Sequence, residues 1–127
     1  MRWVVSGTYH STKPLFDIPL TQFDLREHAT FDEVLNEHDP NVVVNCAEMT
    51  DVNDCEKNPD MAATLNGDTP GKLAAHCEIH NISFVHISTD YVFDGDSRDA
   101  YVELDKPAPK QAYGKSKLIG EETVTET

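Results

Sequence analysis

Asn41-Val42-Val43-Val44-Asn45-Cys46-Ala47 is the stretch on which the fold turns. Three consecutive valines favour an extended backbone. The apolar residues are continuous rather than alternating, which predicts a parallel strand covered on both faces. Upstream, Thr30-Phe31-Asp32-Glu33 has the form of a capping box, and Phe31, Val34 and Leu35 give the helix that follows an apolar face up to Pro40. Earlier still, residues 3–9 read as a strand broken by Lys13-Pro14, and a second short strand is placed near residues 20–23. Downstream, residues 51–57 read as a loop or a first helical turn. Met61, Ala62 and Leu65 suggest a helix to about residue 66. Asp68-Thr69-Pro70 restarts one, with Leu73, Ala74, Cys77 and His80 on its buried face. Residues 82–88 form the next buried strand, 94–106 a polar loop, and the last helix runs from about residue 109 to 126.

Strands alternating with helices predict βαβ units and a parallel sheet, with right-handed crossovers placing helices on both faces. The chain has 127 residues, of which 39% are hydrophobic and 26% charged, and this suits one domain, residues 1–127. No apolar run approaches the roughly 20 residues needed to cross a bilayer, and the first seven residues lack the apolar core of a secretory signal. A cytoplasmic protein is expected. The net charge of −13 repels phosphate backbones and anionic lipid, so neither nucleic acid nor membrane is an expected partner. The carboxylate excess is spread along the chain and reads as adaptation to high salt. Cys46, Cys55 and Cys77 show no paired spacing, so reduced, buried thiols are expected. His76, Cys77 and His80 share a helix, but no further ligand motif completes a metal site, and none is assigned.

Two segments carry the chemistry. Ser88-Thr89-Asp90-Tyr91-Val92-Phe93 leaves the carboxyl end of a buried strand, where ligands bind in open α/β sheets. Tyr113 and Lys117 stand one helical turn apart and share a face. A phenol is a poor acid–base group at neutral pH, and a nearby ammonium brings its pKa down. The tuned Tyr113 then passes a proton to or from a carbonyl or alcohol oxygen, held by the hydroxyl of Thr89 or Ser88. Glu121, Glu122 and Glu126 read as a solvated helix face.

His86-Ile87-Ser88-Thr89-Asp90-Tyr91-Val92-Phe93-Asp94-Gly95, then Pro107-Ala108-Pro109, then Tyr113-Gly114-Lys115-Ser116-Lys117 together resemble the extended short-chain dehydrogenase/reductase superfamily. More narrowly they are similar to the dTDP-4-dehydrorhamnose reductase group, as are residues 40–47 and 51–56 and Leu65-Asn66. The resemblance implies an NAD(P)H-dependent reductase of a nucleotide-activated 4-keto sugar, with a homodimer left open. On this resemblance Tyr113 is the proton donor, Lys117 lowers its pKa and holds the nicotinamide ribose, and Thr89 orients the keto oxygen. Cys46, Ala47 and Glu48 lie along the cofactor, and Asp24 and Leu25 sit by the adenine. For Asp24 a plain loop or cap carboxylate is an equal reading. Ser11-Thr12-Lys13, with no acid to select a ribose 2′-hydroxyl, hints that a 2′-phosphate is tolerated, so NADPH and NADH both stay open.

The chain departs from this pattern at both ends. Gly7 is followed by no glycine until Gly67, so the Gly-rich turn that cradles a pyrophosphate is absent. Residues 3–10 resemble the family's second strand, and the sequence stops soon after the Tyr-x-x-x-Lys helix. The expected fold is therefore an incomplete Rossmann-like doubly wound parallel sheet with flanking helices. Cofactor binding is expected to be weak or lost, and the chain to be a fragment, a mis-started product or a decayed copy. Without the central strand, the flanking strand edges either pair directly or stay unpaired. Two alternatives remain: a non-catalytic sugar-nucleotide-binding or regulatory subunit of the same fold, and an NAD-dependent sugar-nucleotide epimerase or dehydratase.

Overall fold

The valine run forms β3 (Val42–Asn45), and residues 82–88 provide β4 (Ser83–His86) in a computed structural model that describes residues 2–97 and 99–127. β3 and β4 pair in parallel, Val42 opposite Ser83 and Asn45 opposite His86. β1 (Gly7–Tyr9) and β2 (Leu20–Gln22) form a second parallel pair, Gly7 opposite Leu20. Among the described residues no strand bridges the two pairs. The sheet is thus an incomplete Rossmann-like one, split into halves, and the second of the two expected outcomes holds: the edges are left unpaired rather than joined. β1 is shorter than the predicted strand. Trp3, Val4 and Val5 are exposed and lie outside it, since an extended segment without a ladder partner has nothing to fix it.

The core forms where helices meet one face of β3–β4. α1 (Phe31–His38) contributes Phe31 and Leu35, and α4 (Thr69–Ile79) contributes Leu73 and Cys77. Phe23 and Leu25, just after β2, pack on the same cluster with Val43, Ile82 and Phe84, which ties the two halves together. The other face of the pair is bare. Side chains alternate along a strand, and Val42, Val44 and Val85 are 41%, 54% and 43% exposed. The prediction that this strand is covered on both faces, with helices on each, is corrected accordingly: α1 and α4 lie on the Val43–Phe84 side, and no element among the described residues covers the other.

The helices depart from the sequence reading in detail. α2 (Val52–Lys57) is a formed helix, its N-terminus capped by Asp51, whose Oδ1 accepts from Asp54 N at 2.9 Å. α3 (Pro59–Ala62) runs without a break through a π turn, Ala63–Asp68, into α4. No restart occurs at Asp68, which is helical (φ −67°, ψ −40°) and caps nothing. Pro70 has no N–H to give an α ladder, and the widened π turn carries the chain past it. The capping box at Thr30 is not formed either. Its hydroxyl donates to Glu27 O at 2.8 Å and closes a short 3-10 turn ahead of α1. α5 (Ala112–Thr125) begins after Gln111 and packs along α4 and the π turn. No helix among the described residues is long and apolar enough to cross a membrane.

Cys55 and Cys77 are buried as expected, but Cys46 is exposed, because it follows β3 at the open end of the split sheet. His80 is exposed too, not on the buried face. It lies just past the end of α4 (φ −91°, ψ 4°), outside the helical phase that buries Leu73 and Cys77. With His76 it clamps Asp32 at the start of α1, the two ring nitrogens lying 2.6 and 3.1 Å from Asp32 Oδ1. Cys77 points into the core, and among the described residues no group of three or more His, Cys, Asp or Glu side chains is placed to hold a metal ion. The hydrogen bonds from His76 and then His80 hold the Asp32 carboxyl below its ordinary pKa of 3.8. A carboxylate depressed in the fold contributes stability above its unfolded pKa, and that contribution is lost as pH falls below it. Acid denaturation below about pH 4 is therefore expected to be shallower in Asp32→Asn than in the unmodified chain. Circular dichroism against pH measures it, and identical acid limbs would exclude the clamp as a contributor.

Candidate active site

Tyr113 and Lys117 lie one turn apart on α5 and are both buried, at 8% and 1% exposure. Two glycines seat the helix. A Cβ on Gly114 would come within 2.2 Å of Tyr91 O, and one on Gly120 within 2.2 Å of Asn66 O. These close approaches press the start of α5 on the 3-10 turn Asp90–Val92 and its middle on the π turn. The Tyr91 and Tyr113 rings meet edge to face with centroids 5.7 Å apart. Thr89 caps that 3-10 turn, its Oγ1 accepting from Tyr91 N at 3.3 Å, and it stands near enough to the Tyr113 phenol to pull the phenol's pKa down. Tyr113, Lys117 and Thr89 are thus brought together at the carboxyl end of β4.

The Lys117 ammonium donates to Ile87 O and lies 2.5 Å from Glu48 Oε2. Glu48 Oε2 is buried and makes no hydrogen bond of acceptable angle, so this contact is an ion pair rather than a directed bond. An ammonium has three donors, and these contacts leave at least one free. Glu48 follows β3 in a loop that Asn66 fixes. Asn66 is fully buried in the π turn; its Nδ2 donates to Met49 O at 2.9 Å and to Ser116 Oγ at 3.0 Å, and its Oδ1 accepts from Met49 N at 2.7 Å. Ser116 in turn donates to Tyr113 O at 2.7 Å. Neither Asn66 nor Ser116 stands out as functional from residue type. The available signal is a carboxamide on the otherwise apolar Met61-Ala62-Leu65 face.

Burial and then the Glu48 carboxylate push the Tyr113 phenol above its ordinary value of 10, while Thr89 pulls it down. Lys117 was expected to lower it. Here its ammonium pairs with Glu48, and the net direction for the phenol is upward. His86, opposite Asn45 across β3–β4, is pushed down by burial and then by Lys117, which favours a neutral ring.

The remaining predicted residues lie after the two other strands, β3 and β2. Cys46 and Ala47 are exposed beside Glu48, on the open side of β3. Asp24 and Leu25 follow β2 in the other half of the sheet. Leu25 packs into the core. Asp24 is bridged by Arg26, whose Nε and Nη2 lie 2.9 and 2.5 Å from its oxygens, and its carboxyl is held well below the usual range by those bonds. This is the local loop role that was weighed equally for Asp24. A dinucleotide fits these residues unevenly. Tyr113, Thr89 and the free donor of Lys117 suit a ribose and nicotinamide, whereas among the described residues no glycine turn at a helix N-terminus is present for the phosphates.

The split parallel sheet with helices packed on it places the chain among Rossmann-like α/β proteins. The RmlD substrate binding domain family matches residues 5–127, and the chain belongs to that family. A probable low-salt glycan biosynthesis reductase from Haloferax volcanii is 52% identical over 94% of this chain and 40% of its own length. A crystal structure from Sulfolobus tokodaii, described as a hypothetical dTDP-4-dehydrorhamnose reductase, superposes with a TM-score of 0.87 at 34% identity, covering 96% of this chain and 43% of that one. A dTDP-4-dehydrorhamnose reductase from Bacillus anthracis, in complex with NADP, gives 0.79 at 34% identity over 87% of this chain and 41% of that one. The chain therefore spans less than half the length of these relatives.

Proposed function

We propose that residues 1–127 form part of a nucleotide-binding domain that supplies the proton-donor side of an NAD(P)H-dependent reductase of nucleotide-activated 4-keto sugars. The observation that carries this reading is the buried Tyr113–Lys117 pair with Thr89 against the phenol. A reduced nicotinamide, when bound, supplies hydride to a carbonyl carbon. Tyr113 gives its hydroxyl proton to the keto oxygen, and Thr89 holds that oxygen. The free donor of Lys117 holds a ribose hydroxyl, and Cys46, Ala47 and Glu48 line the cofactor's path. Asp24 and Leu25 stand by the adenine, with Asp24 reaching it only if its Arg26 bridge opens. The acidic composition and the Haloferax relative support a cytoplasmic, salt-adapted protein, so assays belong in high salt.

The test is replacement of the matching segment of the Haloferax reductase by residues 5–127, with NADPH consumption measured on a dTDP-4-keto-6-deoxy sugar. Stoichiometric reduction supports the reading. A folded, NADPH-binding chimera that epimerises or does nothing overturns it. The chain alone, lacking a phosphate turn, is expected to show no saturable NADPH binding at micromolar concentrations by calorimetry. A micromolar Kd would contradict that expectation.

A further inference from the structure

We infer that Glu48 is a positioning residue for the Tyr113–Lys117 pair: its carboxylate engages the Lys117 ammonium and keeps the phenol in its acid form until substrate arrives. This rests on the reading of Tyr113 as proton donor. An uncompensated ammonium beside a phenol draws the proton off. Here Lys117, 1% exposed, meets Glu48 Oε2 at 2.5 Å, and Glu48 is itself mostly buried. The geometry is built rather than incidental, since Asn66 clamps both backbone groups of the adjoining Met49 and also reaches Ser116 on α5.

The other groups around the pair do not cancel this arrangement. Tyr113 feels Glu48 from the β3–α2 loop, Thr89 and Asp90 from the 3-10 turn, and Cys55 from α2. Lys117 acts on His86 of β4, which Glu48 and Glu121 also face. Besides Lys117, the charged groups acting on the phenol are the Glu48 and Asp90 carboxylates, and Glu48 is the larger of the two in effect. When Tyr113 gives its proton, its O–H bond breaks, an O–H bond forms on the substrate oxygen, and the phenolate keeps the electron pair until solvent reprotonates it. A ribose hydroxyl arriving at the free donor of Lys117 enters beside Glu48, so ligand binding and proton release are coupled at one ammonium.

The experiment is a pH titration of the chain carrying ¹³Cζ-labelled tyrosine, followed by NMR, with the Tyr113 signal assigned by its loss in Tyr113→Phe. In Glu48→Gln the Tyr113 midpoint is expected to fall by about one pH unit. Glu48→Asp, which keeps the charge, is expected to restore most of the difference. A folded Glu48→Gln with an unchanged or higher midpoint overturns the inference. Should Glu48→Gln not fold, the Lys117 ¹⁵Nζ signal of the unmodified chain decides. An ammonium protected from solvent exchange supports the pair, and one that exchanges freely overturns it. Failure of the reductase reading shows in the chimera's turnover and leaves this titration untouched.

Discussion

Tyr113→Phe in the Haloferax chimera is expected to lower kcat about a thousandfold while leaving KM within a factor of a few. The phenylalanine keeps the ring that packs against Tyr91 and the Cys55–Ala62 cluster. Only the hydroxyl is removed, and with it the proton. Because the ring stays, the chimera's melting temperature should hardly move. That separates a lost proton donor from a damaged core. A loss of tenfold or less would mean that another group, or water, protonates the keto oxygen. Stopped-flow measurement of NADPH oxidation in single turnovers reads the chemical step without product release.

The second large effect is on stability. Asn66→Leu keeps the volume of a fully buried side chain but removes three hydrogen bonds, two to Met49 and one to Ser116. The Met49 N–H is then left without a partner, and its C=O keeps only the weak Cys55 Sγ–H donor. Buried polar groups without partners cost about 1–3 kcal/mol each, so a loss of about 3 kcal/mol and a fall of about 10 °C in Tm are expected for a chain of this size. Urea denaturation of the unmodified and variant chains gives the difference directly. The loop that carries Glu48 is released at the same time, so the Glu48–Lys117 pair should loosen with it. A variant as stable as the unmodified chain would mean that the carboxamide does not fix that loop.

What the sequence makes legible, and what it hides, follows from how far each property reaches. Three valines and a downstream apolar run are local signals, and both became strands in a parallel pair. The absence of a Gly-rich turn after Gly7 is equally local, and it anticipates the split sheet. Coverage of a strand is not local. Val42, Val44 and Val85 look like core residues and lie bare, because covering them takes an element that no pattern within the strand can announce. The π turn leaves almost no trace, since a shifted hydrogen-bond ladder changes no residue type; Pro70 is its one hint. His80 fails for a geometric reason: helical phase was extended one residue past the point where α4 ends.

At the site, Tyr113 and Lys117 were legible because one turn of helix fixes their neighbourhood. Thr89 was legible because it leaves a strand end. Glu48 and Lys117 are far apart in sequence and belong to different elements, so their pairing is visible only once β3 and α5 are folded together. Burial of the phenol, and after it the Glu48 carboxylate, push the Tyr113 pKa up, the direction opposite to the one expected from Lys117 alone. That direction is the one the proton-donor role proposed for Tyr113 calls for. Asp24 and Leu25, expected by the adenine, belong to the other strand pair, and Asp24 is bridged locally by Arg26.

The pH dependence of kcat/KM for the chimera tests the central claim most directly. Tyr113 as the proton donor predicts activity that is sustained through neutral pH and falls on the alkaline side as the phenol ionises, with that alkaline limb absent from the residual activity of Tyr113→Phe. The same alkaline limb in both proteins would contradict it.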